Sequence, residues 1–359
     1  MSHVFYMALF ILFISSCSDI NDELAPCPEP SSVEMHFEYT YNMIGGDAFS
    51  RKVHCLSVYI FDEKGVFKRE YHIPENAGIS ENDFSIDISI EPGNYKCMAY
   101  GGMECPDASF SHLNSFIEEV TSIKDIQVEL NEECINLDSD ITLRNLHDHF
   151  YGSSGFSVPE NGKAAVTVPM MCNTNSLHIA LQHVSGSIID VNDFDFEITD
   201  DNNTFNAYNE LISTGEITYH PWKMENHSIL PTSNSIISEE GSINVAREEE
   251  DNGKDGFYTA TASFKVSRIV PSGTAKTSQT RLTVIRKNDG QKILSLPLVD
   301  YMLLFKDHIN SRDNLTDQEY LDRENNWQFV FFLDDTTDSW INSHIIINDW
   351  VVRFNNQKY

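Results

Sequence analysis

The sequence predicts an all-β protein of two sandwich domains in tandem. Three observations lead there. Apolar and polar residues alternate with a period of two along most of the chain, the pattern of half-buried strands. Gly, Pro, Asn and Asp cluster between the alternating runs, where turns are needed. The 359 residues, 41% of them hydrophobic, suit two domains of ordinary size with cores of their own.

The elements follow in chain order. Residues 33–41, VEMHFEYTY, put Val33, Met35, Phe37, Tyr39 and Tyr41 on one face. LSVYIFD at 56–62 is a strand closed by the turn Glu63-Lys64-Gly65. FSIDISI at 84–90 aligns Phe84, Ile86, Ile88 and Ile90; Pro92-Gly93 then turns the chain into YKCMAY, a hairpin signature. Residues 112–125 break the alternation, because Leu113, Phe116, Ile117 and Val120 have helical spacing and predict a short amphipathic helix. IQVEL at 126–130 returns to strand. GSSGFSVPENGK, 152–163, has the composition of a linker. Further strands are expected at 165–170, 176–184, 193–199, 257–270, 281–287 and 291–298, with 224–256 a polar, acidic loop. Tyr301 to Ile309 and Gln318 to Asn325 read as helical or turn-like. WQFVFFLDD and HIIINDWVVRF close the chain; in the latter Ile346, Trp350, Val352 and Phe354 share a face that Asn348 interrupts.

The front end is different. Val4 to Ile14 is an apolar run of 11 residues, where a spanning helix needs about 20 and the apolar region of a signal peptide needs fewer. Ile14-Ser15-Ser16-Cys17 has the form of a lipobox: a branched apolar residue, two small residues that admit a peptidase, and a thiol to take the lipid. Only His3, with no Lys or Arg, stands in the usually basic start. The acidic stretch from Ser18 to Glu23 resembles the signal that sends lipoproteins of Bacteroides-like bacteria to the outer face of the outer membrane. The expected division is a lipoprotein signal peptide at 1–16, an acidic, Pro-rich tether at 17–30, an N-terminal domain at 31–158 and a C-terminal domain at 159–359.

Charge limits the partners. With 24 Lys and Arg against 55 Asp and Glu, the formal net charge is -31. Such a surface repels nucleic acid and anionic lipid heads, so the membrane must be held by lipid on Cys17. Each buried methylene of an acyl chain contributes about 0.8 kcal/mol, and stable anchoring needs more than one chain. Six cysteines remain after Cys17. They contain no CxxC of the kind zinc sites use and leave disulfide pairing open among 15 connectivities.

Catalytic spacings are missing: there is no HExxH, GxSxG, P-loop or GxGxxG. His147-Asp148-His149 is the one tight cluster of metal-type ligands, more simply read as a solvated loop, and the acidic runs Asp200-Asp201 and Glu248 to Asp251 read as solvated faces. Trp222 and Trp340 have the rings to stack on sugars, though core packing is the simpler expectation. No enzyme activity, cofactor or metal is expected.

Several phrases together resemble a known family: CPEPSSVEMHFEYTYN (27–42), DAFSRKVHCLSVYIFDEKG (47–65), EPGNYKCMAYGG (91–102), EITYHP (216–221), QEYLDREN (318–325) and INDWVVR (347–353). They are similar to the fimbrial anchor lipoproteins of Bacteroidales, the FimB-like accessory subunits, from the lipobox nearly to the C-terminus. The resemblance implies two transthyretin-like sandwiches and a lipid on Cys17. It also implies a place at the base of a fimbrium, holding the shaft of pilin subunits to the outer membrane and limiting its length. Fimbrial subunits join by strand addition, in which main-chain hydrogen bonds give affinity. Either an open groove in one sandwich or the alternating tail 344–354 can supply that contact. The competing reading is a surface glycan-binding lipoprotein of a nutrient-uptake system, which should present coplanar exposed aromatics.

Overall fold

The computed structural model describes residues 30–75, 77–81, 83–229, 257–271, 279–306, 315–348 and 350–353. The chain is all-β, as its alternation predicts, and builds two sandwiches.

The first sandwich begins with β1 (Ser32–Glu38), β2 (Leu56–Asp62), β3 (Phe67–Ile73), β4 (Ser85–Ser89) and β5 (Gly93–Gly101). Two short strands, β6 (Phe110–His112) and β7 (Gln127–Leu130), leave it for a small sheet of their own. It is completed by β8 (Phe150–Val158) and β9 (Lys163–Cys172), giving the order β3-β2-β5-β8-β9-β1-β4. This sheet folds over at the β8–β9 corner, where only Phe150 to Gly152 pair with Met170 to Cys172. One core then lies between the halves: Val33, Met35 and Phe37 of β1 and Val168 and Met170 of β9 face Val58 and Ile60 of β2 and Ala99 of β5. The opposite faces of β2 and β5, carrying Tyr59, Phe61, Met98 and Tyr100, enter a larger core that runs into the second sandwich. That is why LSVYIF is buried on both faces, while β1 alternates as read.

The second sandwich holds β10 (Thr174–His183), β11 (Phe194–Asp200), β12 (Thr204–Asn206), β13 (Ile217–Tyr219), β14 (Lys223–Ile229), β15 (Phe257–Ser267), β16 (Arg281–Arg286), β17 (Gln291–Pro297), β18 (Asn326–Leu333), β19 (Trp340–Ile347) and β20 (Trp350–Arg353). A six-stranded sheet, β14-β15-β10-β18-β19-β20, packs on a four-stranded sheet, β13-β11-β16-β17. The third sheet, β12-β7-β6, takes strands from both sandwiches, with Thr204 opposite Glu129 and Asn206 opposite Gln127.

Two parallel pairings set the long axis. β1 runs alongside β9 from Ser32–Lys163 to Glu38–Pro169. β9 passes through Asn173 directly into β10, which runs parallel to β18 from Ser176–Asn326 to His183–Leu333. Ser32 therefore lies at one pole, Asn173 at the junction, and His183 and Leu333 at the other pole.

Several expectations need correction. Residues 152–163 are not a linker: they are most of β8 and the turn into β9. The expected boundary between 158 and 159 falls inside that hairpin, and the chain changes sandwich at Asn173. FSIDISI and YKCMAY do not pair with each other; β4 pairs with β1, whereas β5 pairs with β2 and β8. The helix expected at 112–125 is replaced by the end of β6, a loop, and a 3-10 turn at Ile123–Asp125. Of its apolar stripe only Phe116 packs inward, stacked on Tyr59 with ring centroids 4.2 Å apart. Leu113, Ile117 and Val120 are exposed. The loop is tied to the start of β3 by Glu119 N–H to Phe67 O and Phe67 N–H to Thr121 O, and Glu119 at φ 61° stops any helix. Lys223–Ile229 is strand, so the expected loop at 224–256 starts too early; its remainder from 230 lies outside the described residues. The helix Asp317–Arg323 forms where expected, and Leu298–Met302 with Leu303–Phe305 covers the start of the other helical segment.

Candidate assembly site

The first pole is where the described chain begins. Cys17 and Cys27 lie outside the described residues. Just beyond them, Ser31 Oγ donates to Glu160 O at 2.8 Å and Ser32 N–H to Gly162 O at 3.2 Å, fixing the chain against the β8–β9 turn. Lys163 bridges Asp87 of β4 and Glu34 of β1 at 2.7 and 3.1 Å.

The junction is held by polar side chains that the sequence reading placed in solvent. Asp148, with 32% of its side chain exposed, is tied down rather than free in solvent: its carboxylate pairs with Lys265 of β15 at 2.5 Å and accepts from Thr174 Oγ1 at 2.8 Å. Burial alone would raise its pKa, but Lys265 and Thr174 outweigh it and hold the carboxyl below its usual range. His149 is buried, its ring stacked 4.6 Å from Phe110. Burial lowers its pKa to about 3. His147, Asp148 and His149 do not converge, and no metal-type cluster occurs among the described residues. Asn173 and Asn209 exchange amide hydrogen bonds at 2.7 and 3.0 Å. Asp200 and Asp201, expected on a solvated face, are fully buried. Asp201 accepts from the N–H groups of Thr214 and Gly215, Asp200 from Thr280 Oγ1. The run Glu248 to Asp251 lies outside the described residues.

QEYLDREN acquires a structural meaning here. Thr316 and Glu319 form a capping box that starts the helix. Tyr320 packs edge-on against Trp327 at 5.7 Å. Asp322 takes a two-pronged bond from Arg268 at 2.7 Å on each oxygen, and Arg268 also donates to Asn209 O at 2.6 Å. Arg323 lies 4.4 Å over the ring of Tyr41, and Asn325 Nδ2 donates to Tyr39 Oη at 3.3 Å. One turn-and-helix thus clips the end of the first strand to the second sandwich. Sequence reasoning found the motif but not its partner, because Arg268 is 54 residues away in an otherwise ordinary strand run; the capping box was the signal available.

At the far pole, His183 Nε2 meets Asp338 Oδ1 at 3.0 Å, and Arg286 bridges Asp338 and Asp289 at 2.9 and 2.6 Å. Between the poles the sheets end in edge strands that differ in character. β3 (FKREYHI) and β14 (KMENHSI) carry charges, as edges do to repel unwanted pairing. β20 (WVVR) is short, has a single charge and ends the six-stranded sheet. The tail 344–354 is not one alternating strand. Ile345 and Ile347 are fully buried core residues of β19, and Asn348, at φ 45°, turns the chain into β20 so that Ile347 pairs with Trp350. Asn348 also exchanges bonds with the backbone of Gln328, N–H to O at 3.0 Å and Oδ1 from N–H at 2.8 Å. Residues 344–347 are therefore built into the sheet. Phe354 lies outside the described residues.

Cys55 and Cys105 form a disulfide; Cys97, Cys134 and Cys172 are buried free thiols. Trp340 packs in the core against Phe331 and Tyr301, Trp327 is buried, and Trp222 is half-buried. No helix among the described residues is long and apolar enough to cross a membrane.

Fold and site together define a tandem β-sandwich protein, clipped into one unit, whose sheets end, among the described residues, in edge strands without an outer partner. The chain belongs to the family of fimbrillin-A associated anchor proteins Mfa1 and Mfa2, which matches residues 24–356. Among solved structures it is similar to a candidate adhesin from Bacteroides thetaiotaomicron, at 33% identity and TM-score 0.78, covering 93% of this chain and all of that one. A candidate polysaccharide-binding protein from the same organism aligns at 23% identity and TM-score 0.71, over 91% of this chain and 99% of that one. The fimbrial anchor protein Mfa2 from Porphyromonas gingivalis shares the fold at 15% identity and TM-score 0.60, over 91% of this chain and 99% of that one. No protein with a curated description matches the sequence. Family membership makes the chain a fimbrial component of the cell surface and implies association with shaft subunits.

Proposed function

We propose that the protein is the anchor subunit of a fimbrium, held in the outer membrane by lipid on Cys17 after removal of residues 1–16. Shaft pilin joins it at the free edge of β20 by strand addition, and the number of anchors limits shaft length. The observation that carries this reading is the family match along nearly the whole chain, 24–356. The layout supports it, because the tether enters at one pole and an edge strand with a single charge, β20, belongs to the other sandwich. β20 suits an added strand: its outer backbone groups end the sheet, and its few charges offer little repulsion.

Two measurements test the parts separately. Cys17→Ala should release the protein from the outer-membrane fraction and abolish labelling by an alkyne fatty acid; retention with no label on wild-type Cys17 would overturn the lipid assignment. Removing residues 350–359 should abolish capture of purified shaft pilin while leaving β19 in place. Unchanged capture by a folded truncation would exclude β20 as the joining edge. For the glycan-binding reading, Trp340 is partly buried and packs on Phe331 and Tyr301, and Trp222 is half-buried.

A further inference from the structure

We infer that the fold is arranged to carry tension along its long axis, with the parallel β1–β9 ladder as the clamp. The anchor reading supplies the direction of the load: the tether draws on Ser32, and the shaft draws on the second sandwich. The topology decides how that load is met. Ser32 and Lys163 are neighbours at the tether pole, the first of seven residue pairs that end at Glu38–Pro169. A pull on the tether draws β1 toward that pole. The opposing pull reaches β9 from its other end, because β9 continues through Asn173 into β10.

The two strands are thus dragged in opposite directions along their common axis. The ladder bonds are loaded together, in shear. A pair pulled apart from one end would open bond by bond. β4 flanks β1 on its other side with five more pairs, and sliding β1 would also drag Val33 and Met35, both fully buried, through the core. The same geometry recurs in series. A pull applied at the far turn between β18 and β19 draws β18 outward while β10 is held inward, and these strands are parallel over eight pairs.

Equilibrium stability gives no reason for the arrangement, since parallel pairing is slightly weaker per residue than antiparallel. Resistance to force depends instead on the unfolding rate under load, and that rate depends on how many bonds must fail at once.

Single-molecule pulling on the purified full chain tests this without any fimbria. One handle stays at the N-terminal end. The second is placed either in the far turn after Thr336 or in the turn Glu160–Gly162, beside Ser32. The first attachment shears β1 against β9; the second unzips the same ladder. Rupture force should be several-fold higher for the first. Equal forces would overturn the clamp while leaving the anchor reading intact, which stands or falls on pilin capture. His36→Pro, which removes a backbone donor from β1, should lower the force of the first attachment toward that of the second. If that variant does not fold, the two attachments in the unaltered chain still decide.

Discussion

His149 shows how much a single side chain can alter the reading of a motif. Next to His147 and Asp148 it looks like a ligand or a loop residue. In the fold its ring is sandwiched between Phe110 and Tyr100, with centroids 4.6 and 5.9 Å away, and Asn173 directs an amide at Nδ1 at 3.4 Å. Burial holds the folded-state pKa at about 3, well below the ordinary 6.5. A group depressed in this way stabilises the fold fully above its unfolded pKa, and that stability is lost as pH falls from 6.5 toward 3. Between pH 7.5 and 5 the unfolded chain takes up a proton that the fold refuses, a loss of about 2 kcal/mol. Urea unfolding at both pH values should show the wild type losing about that much more than His149→Phe. Parallel losses would mean that other groups govern acid sensitivity. Gly102 makes a related point about shape. It sits at φ 80°, and a Cβ there would collide with the carbonyl of Asp148, so the last Gly of EPGNYKCMAYGG is a requirement of the junction. Nothing in the sequence shows that, because Asp148 is distant along the chain.

At the scale of elements, the helix Asp317–Arg323 is the clearest case of a short segment with a long reach. Asp322 is nearly buried, and Arg268 is largely so. Removing one partner leaves the other charge uncompensated, so Asp322→Ala should cost about 3–5 kcal/mol. Chemical denaturation read by tryptophan fluorescence checks this, since Trp327 packs on the same helix. A cost under about 1 kcal/mol would show the pair to be solvent-screened. Most strands were legible because a strand with one wet face alternates: β1, β4, β7, β11 and β18 all read directly. The missed ones have a common cause. β3 is an edge strand with Lys68, Arg69 and Glu70 in succession, and β8 contains Gly152, Gly155 and serines that look like a linker but pair with β5 along its whole length. The false helix arose because Leu113, Ile117 and Val120 are spaced as a stripe yet face solvent. Pairing partners were not legible at all: nothing local to FSIDISI says that it joins β1 rather than the strand after its turn. The polar junction was equally hidden, since Asp200, Asp201 and Asn173 look soluble until groups distant in sequence, Thr280, Thr214 and Asn209, fill their hydrogen-bonding needs.

For the whole molecule, the continuous β9–β10 run, the shared β6–β7–β12 sheet and the 317–323 clip join the sandwiches by three independent routes. A disulfide adds a fourth constraint inside the first sandwich. Cys55 and Cys105 are 50 residues apart in sequence and 6.0 Å apart between Cα atoms. With each extended residue spanning about 3.3–3.6 Å, reducing this bond should lengthen the fully stretched chain by about 170 Å. Pulling with and without reductant measures that difference directly; identical lengths would show that the bond is absent in the protein as made. The strand run from Lys163 to His183 also has a consequence for reach. Twenty-one residues rising about 3.3 Å each make a strut of at most about 70 Å. Under the proposed lipid anchoring, a body docked at the outer end would be held away from the bilayer by up to that strut plus the residues before Ser32.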